Sequence, residues 1–397
     1  MGLYDSILSS IMIMTRAIVS IVIRGLWVFP LKHNRIFFQS YEKANGYVCN
    51  PKYLCDFLKD NYPSTYELVF AMGRDNKTVF VDGVKFIDYR SLRWFYYLST
   101  SGIVVWNVRS PSYLRRRNGQ LVINTWHAGG AYKRTGVIKA KSRFGAWANK
   151  KENEYITLFV SSSKRFTDTN IVQGFQYHSE ILNCGMPRND IFFSPDTVDS
   201  LNRKVRTILN IEDQTVVLFA PTFRGKADSA LKVSFDLPSN WISTVLKDRF
   251  KKDVLILVRK HHHDNNNYSL DSNIIDVSNY PDMQELLCCA DILITDYSSS
   301  IWDFALLKKP CFLYTPDLQK YENEDRGFFT PIEEWPGVLC RTADELINAL
   351  KKTTLEESKA IAENHLMRMG SYENGYACKT ITERIVQFSG KKPPNRI

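Results

Sequence analysis

The sequence lacks the short motifs that mark the common nucleotide-binding and hydrolytic enzymes. It contains no P-loop, no GxGxxG fingerprint, no GxSxG nucleophile elbow and no convincing pair of glycosidase carboxylates. These absences argue against kinases, dehydrogenases, hydrolases and glycosidases of the usual kinds. Internal repeats and disorder-prone composition are also missing, so the 397 residues are expected to fold as two domains of ordinary size.

The eight cysteines form no CxxC pair and show no metal-ligand spacing. Several of them lie in apolar runs, which predicts that they are small core residues. Unpaired core cysteines are typical of a reducing compartment, here the cytoplasm.

Acidic residues are fewer than basic ones: 42 Asp and Glu stand against 52 Lys and Arg, a net charge of +10. This excess indicates an acidic partner, which is an anionic membrane surface, a phosphate-rich substrate or nucleic acid. A soluble protein with a merely basic surface is the alternative.

The N-terminal segment 7–29 is apolar but is interrupted by Arg16 and Arg24. No charge-free window of about 20 residues exists, so a clean membrane span is not predicted, and no small-residue cleavage site marks a secretory signal. On a helical wheel the polar residues of this segment fall within about 100° of one another; they are Asp5, Ser6, Ser9, Arg16, Ser20 and Arg24. The pattern predicts that 1–30 is an amphipathic helix in a membrane interface. A helix packed on the protein's own core gives the same pattern.

After residue 30, short β-like runs alternate with helical patterns, which predicts an α/β fold with mostly parallel sheets. Turn-forming residues between 185 and 200 mark the change of domain. The simplest architecture is two Rossmann-like domains facing a cleft, residues 31–195 and 196–370. Residues 371–397 then form a C-terminal helix, expected to pack back towards the N-terminal domain, and a basic tail. The predicted strands are 35–39, 67–71, 78–81, 103–107, 121–126, 155–160, 179–183, 216–220, 254–259, 274–276, 292–295 and 311–314.

Three serines follow a strand and open a helical pattern in the segment ADILITDYSSSIWDF. The N–H groups of a first helical turn, together with serine hydroxyls, can hold a phosphate group without a metal ion. The alternative is that the serines only cap the helix. The residues concerned are Asp296, Ser298, Ser299 and Ser300. Arg326, in a loop further along the chain, is placed to clamp a phosphate bidentately.

A histidine ends another predicted strand. His127 comes directly after 121–126 and precedes Gly129, Gly130 and Lys133. An imidazole beside flexible backbone and a cation suits a general base at a phosphate site, although strand-end histidines also have purely structural roles.

Two further strands run into cationic loops. Thr222 and Arg224 follow the strand 216–220, and the strand 254–259 ends at Arg259 and runs into His261. The alternative for the first loop is an exposed basic surface. The histidine run that begins at His261 does not predict a metal site, because consecutive residues rarely converge on one ion.

In this order the motifs resemble those of the CDP-glycerol glycerophosphotransferase family of teichoic acid and capsule synthesis, which includes CDP-ribitol users. The resemblance runs over most of the chain from about residue 40. The matching motifs are Asn50-Pro51-Lys52, TWHAGGAYKRTG, GMPRND, APTFRGK, Arg259-Lys260-His261, YPDMQELLCCADILITDYSSSIWDFALLKKP and DRGFF. One departure concerns the loop His127-Ala128-Gly129-Gly130, where many members carry His-Gly-Thr-Pro.

The resemblance implies a GT-B type phosphotransferase that needs no metal or cofactor. Such a protein is held at the cytoplasmic face of the bacterial cell membrane as a peripheral, monotopic protein. His127 and His261 match histidines regarded as essential in the family. The residues that match or flank its donor pyrophosphate and nucleotide site are Thr222, Arg224, Arg259, Asp296, Ser298, Ser299, Ser300 and Arg326. Gly129, Gly130 and Lys133 would contact the acceptor or its phosphate.

The implied reaction is attack by an acceptor hydroxyl on the β-phosphorus of CDP-glycerol, with release of CMP. His127 would remove the proton, and the cations would offset the charge on the pyrophosphate. The acceptor is a lipid-linked or polysaccharide chain. CDP-ribitol as donor, or a GT-B nucleotide-sugar glycosyltransferase, are the alternatives. Nucleic acid is not expected as a partner, because no nucleic-acid-binding motif is present.

Overall fold

The computed structural model describes residues 3–41, 46–73, 79–139, 143–222, 237–260, 273–324 and 327–390. The chain divides into two compact units, each of which is built on a parallel sheet. The first unit comprises Met1–Gly129, Arg134–Asp190 and Tyr372–Ile397, and the second comprises Gly130–Lys133 and Ile191–Ser371. The prediction of an α/β fold with parallel sheets is confirmed.

The sheet of the first unit has seven strands within the described residues, in the order β3-β2-β1-β4-β5-β6-β7, and all of its neighbours pair in parallel. Its central strands are continuous apolar runs because both faces of a parallel sheet are covered. The strands are β1 (Lys32–Gln39), β2 (Glu67–Met72), β3 (Val84–Asp88), β4 (Ser101–Trp106), β5 (Leu121–Asn124), β6 (Leu158–Ser161) and β7 (Glu180–Asn183).

The helices of this unit cover the two faces of its sheet. They are α1 (Leu3–Arg24), α2 (Cys49–Asn61), α3 (Leu92–Thr100), α4 (Arg143–Tyr155) and α5 (Lys164–Phe166), with 3-10 turns at Gly25–Val28 and Gly136–Lys139 and a π-helical segment at Thr167–Gly174. Alternation along β1 separates the faces, since Ile36 and Phe38 pack in a cluster with α2 while Phe37 packs with α3.

The sheet of the second unit has six parallel strands in the described part of the chain, in the order β10-β9-β8-β11-β12-β13. The strands are β8 (Thr215–Ala220), β9 (Val254–Val258), β10 (Ile274–Asp276), β11 (Ile292–Thr295), β12 (Cys311–Tyr314) and β13 (Val338–Cys340). One core cluster joins Val217 and Phe219 of β8 to apolar side chains of the helices around them, such as Ile242 and Leu346.

The chain passes into the second unit through the 3-10 turn Pro187–Phe193 and returns to the first unit at Tyr372. The helices of the second unit are α6 (Pro195–Ile208), α7 (Ser239–Phe250), α8 (Met283–Cys289), α9 (Ser300–Ala305), α10 (Leu318–Glu324), α11 (Ala343–Lys352) and α12 (Leu355–Met369), with a 3-10 turn at Ile332–Glu334. The last helix is α13 (Ala377–Ser389), whose Ile381 and Ile385 lie in the same core cluster as Ile36.

One predicted strand is wrong. Residues 79–81 are not in a strand, and Phe80 is 86% exposed. The chain turns at Gly83, whose φ is +77°, and β3 follows as the edge strand of the sheet. The run of β-branched and aromatic residues at 78–81 has the composition of a strand, but the sheet pairs the partly polar segment after the turn instead.

All eight cysteines lie in described residues, and all are buried with free thiols. Their prediction as small core residues is confirmed. Burial raises the pKa of the Cys55 thiol to about 12.

Candidate functional site

The strand order of each sheet reverses between two neighbouring parallel strands, β1 and β4 in the first unit and β8 and β11 in the second. In open α/β sheets, ligands bind outside the carboxyl ends of the strands at such a switch point. Among the described candidate residues, Thr222 follows β8, Asp296 follows β11, and His127 follows β5, the neighbour of β4.

His127 lies in the first unit, three residues after β5 ends at Asn124. Its imidazole is half-buried and stacks on Trp126 with ring centroids 4.6 Å apart. It also forms a T-shaped contact with Tyr41, with ring centroids 5.6 Å apart. Its Nδ1 lies 2.8 Å from the backbone oxygen of Asn107, which follows the neighbouring strand β4. Because a carbonyl oxygen only accepts, Nδ1 is the donor, and the neutral ring carries its lone pair on Nε2.

Asn107 was not predicted as a site residue, since the sequence placed it inside the strand 103–107. It lies at the carboxyl end of β4, where the strand order reverses, and its carbonyl selects the imidazole tautomer. The position of Asn107 in the sequence could have identified it, because it is a polar residue at the end of an apolar strand, the same feature that indicated His127 and Asp296.

In the second unit, Asp296 joins the ends of the two strands at the switch point. Its carboxylate accepts the backbone N–H of Thr222 at 2.8 Å, the hydroxyl of Thr222 at 2.6 Å and the backbone N–H of Tyr297 at 2.5 Å. The side chain is 2% exposed. Thr222 follows β8 and Asp296 follows β11, so one carboxylate fixes both loops against each other.

The serine turn follows directly. Ser298 Oγ lies 2.9 Å from Ser300 Oγ and accepts the backbone N–H of Ser300 at 3.3 Å. Ser299 stands at the N-cap of α9 without a side-chain cap hydrogen bond. The hydroxyls therefore pair with each other at the start of a helix of six residues, and Ser298 and Ser299 are half-buried.

The segment Gly130–Lys133 belongs to the second unit. The backbone oxygen of Tyr132 accepts the N–H of Phe329 at 2.7 Å, and Lys133 forms a β-bridge with Phe328. The Lys133 ammonium lies 5.4 Å from the Tyr321 ring centroid. A Cβ at Gly130 would lie 2.0 Å from the Tyr132 ring, so this close approach requires glycine.

Tyr132 is anchored by His365, a buried histidine of α12. The Nδ1 atom of His365 lies 2.7 Å from the backbone oxygen of Glu334, so Nδ1 donates and Nε2 accepts the Tyr132 hydroxyl at 2.9 Å. Burial lowers the pKa of His365 to about 4. This histidine is therefore neutral and structural at neutral pH.

The depressed pKa predicts acid sensitivity. Because the unfolded imidazole titrates near 6.5, stability is complete above that pH and is lost as the pH falls towards 4. His365 should contribute about 3 kcal/mol to this loss. Urea denaturation at pH 7.5, 6 and 4.5 measures it, with His365→Gln as control. Wild-type protein should lose more stability than the variant, and parallel pH dependences would contradict the assignment.

Among the other predicted residues, Arg259 follows β9 and donates from Nη1 to the backbone oxygen of Tyr280 at 2.8 Å. Arg224, His261 and Arg326 lie outside the described residues. The structure thus brings Thr222 together with Asp296, and Ser298 with Ser300. Within the described ranges, no group of three or more His, Cys, Asp or Glu side chains could hold a metal ion.

Polar groups at the switch points of two parallel sheets are the arrangement of proteins that bind nucleotides and related phosphates. The chain belongs to the CDP-Glycerol:Poly(glycerophosphate) glycerophosphotransferase family, whose model matches residues 21–387. The family predicted from the sequence motifs is therefore confirmed, and the chain is a glycerophosphotransferase-family enzyme.

Two curated relatives are similar to this chain over most of their own length. The teichoic acid poly(glycerol phosphate) polymerase of Bacillus spizizenii is 27% identical over 382 residues, which cover 93% of this chain and 96% of the relative. The teichoic acid glycerol-phosphate transferase of Staphylococcus aureus is 29% identical, with 89% and 92% covered. The chain spans about half the length of two further poly(glycerol phosphate) polymerases, 45% and 51%. Teichoic acid ribitol-phosphate polymerases of Staphylococcus aureus are also similar.

A solved structure of the wall teichoic acid polymerase TagF has the same fold. It superposes with a TM-score of 0.80 at 25% identity and covers 98% of both chains.

Proposed function

We propose that this chain transfers glycerol phosphate from CDP-glycerol to a hydroxyl group of a teichoic acid acceptor and releases CMP. The observation that carries the proposal is the family match over residues 21–387, which spans both sheets and every candidate residue. The finer architecture we propose is GT-B type, with two Rossmann-like domains. The strand order of each sheet supports it, because 3-2-1-4-5-6 is the order of a doubly wound nucleotide-binding fold.

In the proposed reaction the acceptor hydroxyl attacks the β-phosphorus of the donor, the bond to the CMP oxygen breaks, and a phosphodiester forms. His127 takes the hydroxyl proton on Nε2, the nitrogen left with a lone pair by the bond from Nδ1 to Asn107. The departing CMP carries the negative charge of the broken bond.

Phosphoryl transfer needs positioning and charge stabilisation more than covalent catalysis. We assign the donor pyrophosphate to the carboxyl ends of β8 and β11, where the serine turn presents hydroxyl groups and Asp296 ties Thr222 to that turn. His261, Arg224 and Arg326 are assigned to the same phosphates from their sequence motifs. Lys133 and Gly129 are assigned to the acceptor side. The sequence predicts no metal ligands, so these donors and cations would offset the charge.

Donor choice is tested by CMP release. The purified chain is incubated with CDP-glycerol, CDP-ribitol or a nucleotide sugar, each with a glycerol-phosphate-primed acceptor. We expect kcat/KM for CDP-glycerol to exceed that for CDP-ribitol by at least about tenfold, because the extra CHOH groups of ribitol would be buried without hydrogen-bond partners in a site shaped for glycerol, at a cost of about 1.4 kcal/mol or more. Faster turnover of CDP-ribitol would favour the second candidate, which the similarity to ribitol-phosphate polymerases supports. Release of nucleotide only from a nucleotide sugar would contradict both.

We infer that α1 holds the protein at an anionic membrane, as the sequence predicts. Ser9 and Ser20 of its polar face are buried against the first unit, and the Arg16 guanidinium lies 5.2 Å from the Tyr113 ring centroid. The opposite face is exposed; it comprises Ile7, Ile11, Met14, Ile18, Ile21 and Val22, all between 52% and 70% exposed.

This orientation is the reverse of a core helix, which turns its apolar face inward. The helix α1 lies along the first unit. Near its start the Ser6 hydroxyl accepts a hydrogen bond from Arg143 at 3.3 Å, and near its end Ile23 packs on the core cluster that contains Phe37. By length and composition Ser6–Val28 is apolar enough to cross a membrane. Because its polar face is occupied by the protein, we propose an interfacial rather than a spanning helix.

A single charge on the apolar face tests this placement. Ile18→Glu should lower partitioning onto vesicles of anionic lipid by about tenfold or more, because burying an isoleucine is worth at least 1.5 kcal/mol. Ile208→Glu is the matched control, since Ile208 is a similarly exposed isoleucine, 55% exposed, on α6 of the second unit. Sedimentation of both variants with vesicles measures the difference, and equal losses would place α1 outside the lipid.

A further inference from the structure

Two residues from the sequence motifs of the family have no role in the reaction described above. One is Asn50, in the first turn of α2, and the other is Arg188, in the 3-10 turn Pro187–Phe193. Both belong to the first unit, and both side chains are buried, with exposed fractions of 0% and 4%. A buried amide and a buried guanidinium persist only where they are hydrogen-bonded.

Both side chains donate to the backbone of the loop that carries His127. Asn50 Nδ2 donates to the backbone oxygen of Trp126 at 2.8 Å, and Arg188 Nη1 donates to the backbone oxygen of His127 at 2.8 Å. The two are also joined to each other, since Asn50 Oδ1 accepts the backbone N–H of Arg188 at 3.1 Å. Two consecutive carbonyl groups are thus held by side chains far away in the sequence.

The loop needs such support because its backbone is strained. Trp126 has a φ of +50°, the left-handed region, which costs a residue with a Cβ about 1 kcal/mol or more. Without donors at its carbonyl oxygens, the loop would lower its free energy by relaxing to a negative φ at Trp126. That relaxation would swing the imidazole of the next residue away from its bond to the Asn107 carbonyl.

We infer that Asn50 and Arg188 are positioning residues that hold the His127 loop in its strained conformation and so aim the imidazole at the acceptor hydroxyl. Neither contacts the reacting atoms in this scheme. The consequence for turnover rests on the proposed function, whereas the consequence for the loop does not. Small misplacements of a catalytic group are costly, which makes the effect measurable in kcat.

The test replaces the Arg188 side chain by methionine, which removes the charge and the hydrogen-bond donors but keeps an apolar side chain of similar length. Arg188→Met should lower kcat by about tenfold while KM for CDP-glycerol stays within about threefold, because only the proton acceptor is displaced. Arg188→Lys, which keeps a cationic donor, should recover most of the loss. Amide hydrogen exchange should become faster in Arg188→Met for the peptide 122–130.

Asp190→Asn is the matched control. Asp190 lies in the same 3-10 turn and accepts the N–H groups of Ala377 and Cys378 at 2.9 and 2.8 Å, so its loss destabilises α13 and not the loop. Its variant should exchange faster in the peptide 376–383 and keep kcat near the wild-type value.

Unchanged amide exchange of the peptide 122–130 in Arg188→Met would overturn the inference. An equal loss of kcat in Asp190→Asn, when both variants have lost the same amount of melting temperature, would also overturn it. If Arg188→Met does not fold, Asn50→Ser removes the other donor and is judged by the same peptide. A wild-type protein that releases no CMP would contradict the proposed function, and the exchange comparison would still decide the positioning role.

Discussion

His127→Ala should lower kcat for CMP release by on the order of a hundredfold or more, because it removes the general base. The imidazole is the group that the bond to the Asn107 carbonyl orients, with Nε2 left to accept a proton. Steady-state CMP release at saturating CDP-glycerol and acceptor measures the effect. Binding of CDP-glycerol, which we assign to the second unit, should change by less than about threefold.

The control for this variant is His178→Ala. His178 is an exposed histidine of the first unit, away from the strand ends that form the candidate site. Its variant should keep near-normal turnover. If His127→Ala also turns over at near-normal rate, the general-base role is wrong, whatever the binding data show.

Asp296→Asn should weaken CDP-glycerol binding by about thirtyfold, or about 2 kcal/mol, as measured by calorimetry. Its Oδ1 accepts the N–H and the hydroxyl of Thr222, and its Oδ2 accepts the same N–H at 3.0 Å. In the asparagine variant an NH2 group takes the place of one of these oxygens and faces the Thr222 donors as a second donor. With that link broken, the loop after β8 and the serine turn after β11 would no longer be held together. The donors assigned to the pyrophosphate would then lose their alignment.

Thr295→Val separates this effect from simple destabilisation. The Thr295 hydroxyl is buried next to the turn and donates to the backbone oxygen of Ala220 at 2.7 Å, and valine has the same shape without the hydroxyl. The control should change donor affinity by less than about threefold, since its bond fixes the strands and not the loops. Equal weakening in both variants would remove Asp296 from the donor site.

The strands of both sheets were largely predictable because parallel strands buried on both faces read as continuous apolar runs. The predicted strands at 274–276, 292–295 and 311–314 coincide with β10, β11 and β12. β3 was missed because an edge strand is partly polar, and its neighbour at 78–81 has the stronger strand composition. Helices α11 and α12 were not predicted, although Thr354 and Glu357 form a capping box that marks the start of α12.

The candidate site was predictable only as a set of residues at strand ends. His127, Thr222 and Asp296 each follow an apolar run, which is visible in the sequence. The tautomer of His127 was not visible, because it depends on Asn107, which pairing of β4 with β5 brings alongside. The link from Asp296 to Thr222 likewise depends on β8 and β11 being neighbours in the sheet, because Thr222 and Asp296 are 74 positions apart in the sequence.

Transfer of glycerol phosphate from CDP-glycerol is the activity on which the residue roles above depend. Its most direct measurement follows both products from one incubation with donor labelled in the glycerol, namely the CMP released and the labelled glycerol phosphate joined to the acceptor. One glycerol phosphate in phosphodiester linkage is expected for each CMP. Release of CMP with the label recovered as free glycerol phosphate, or no release from CDP-glycerol while another donor is consumed, would contradict it.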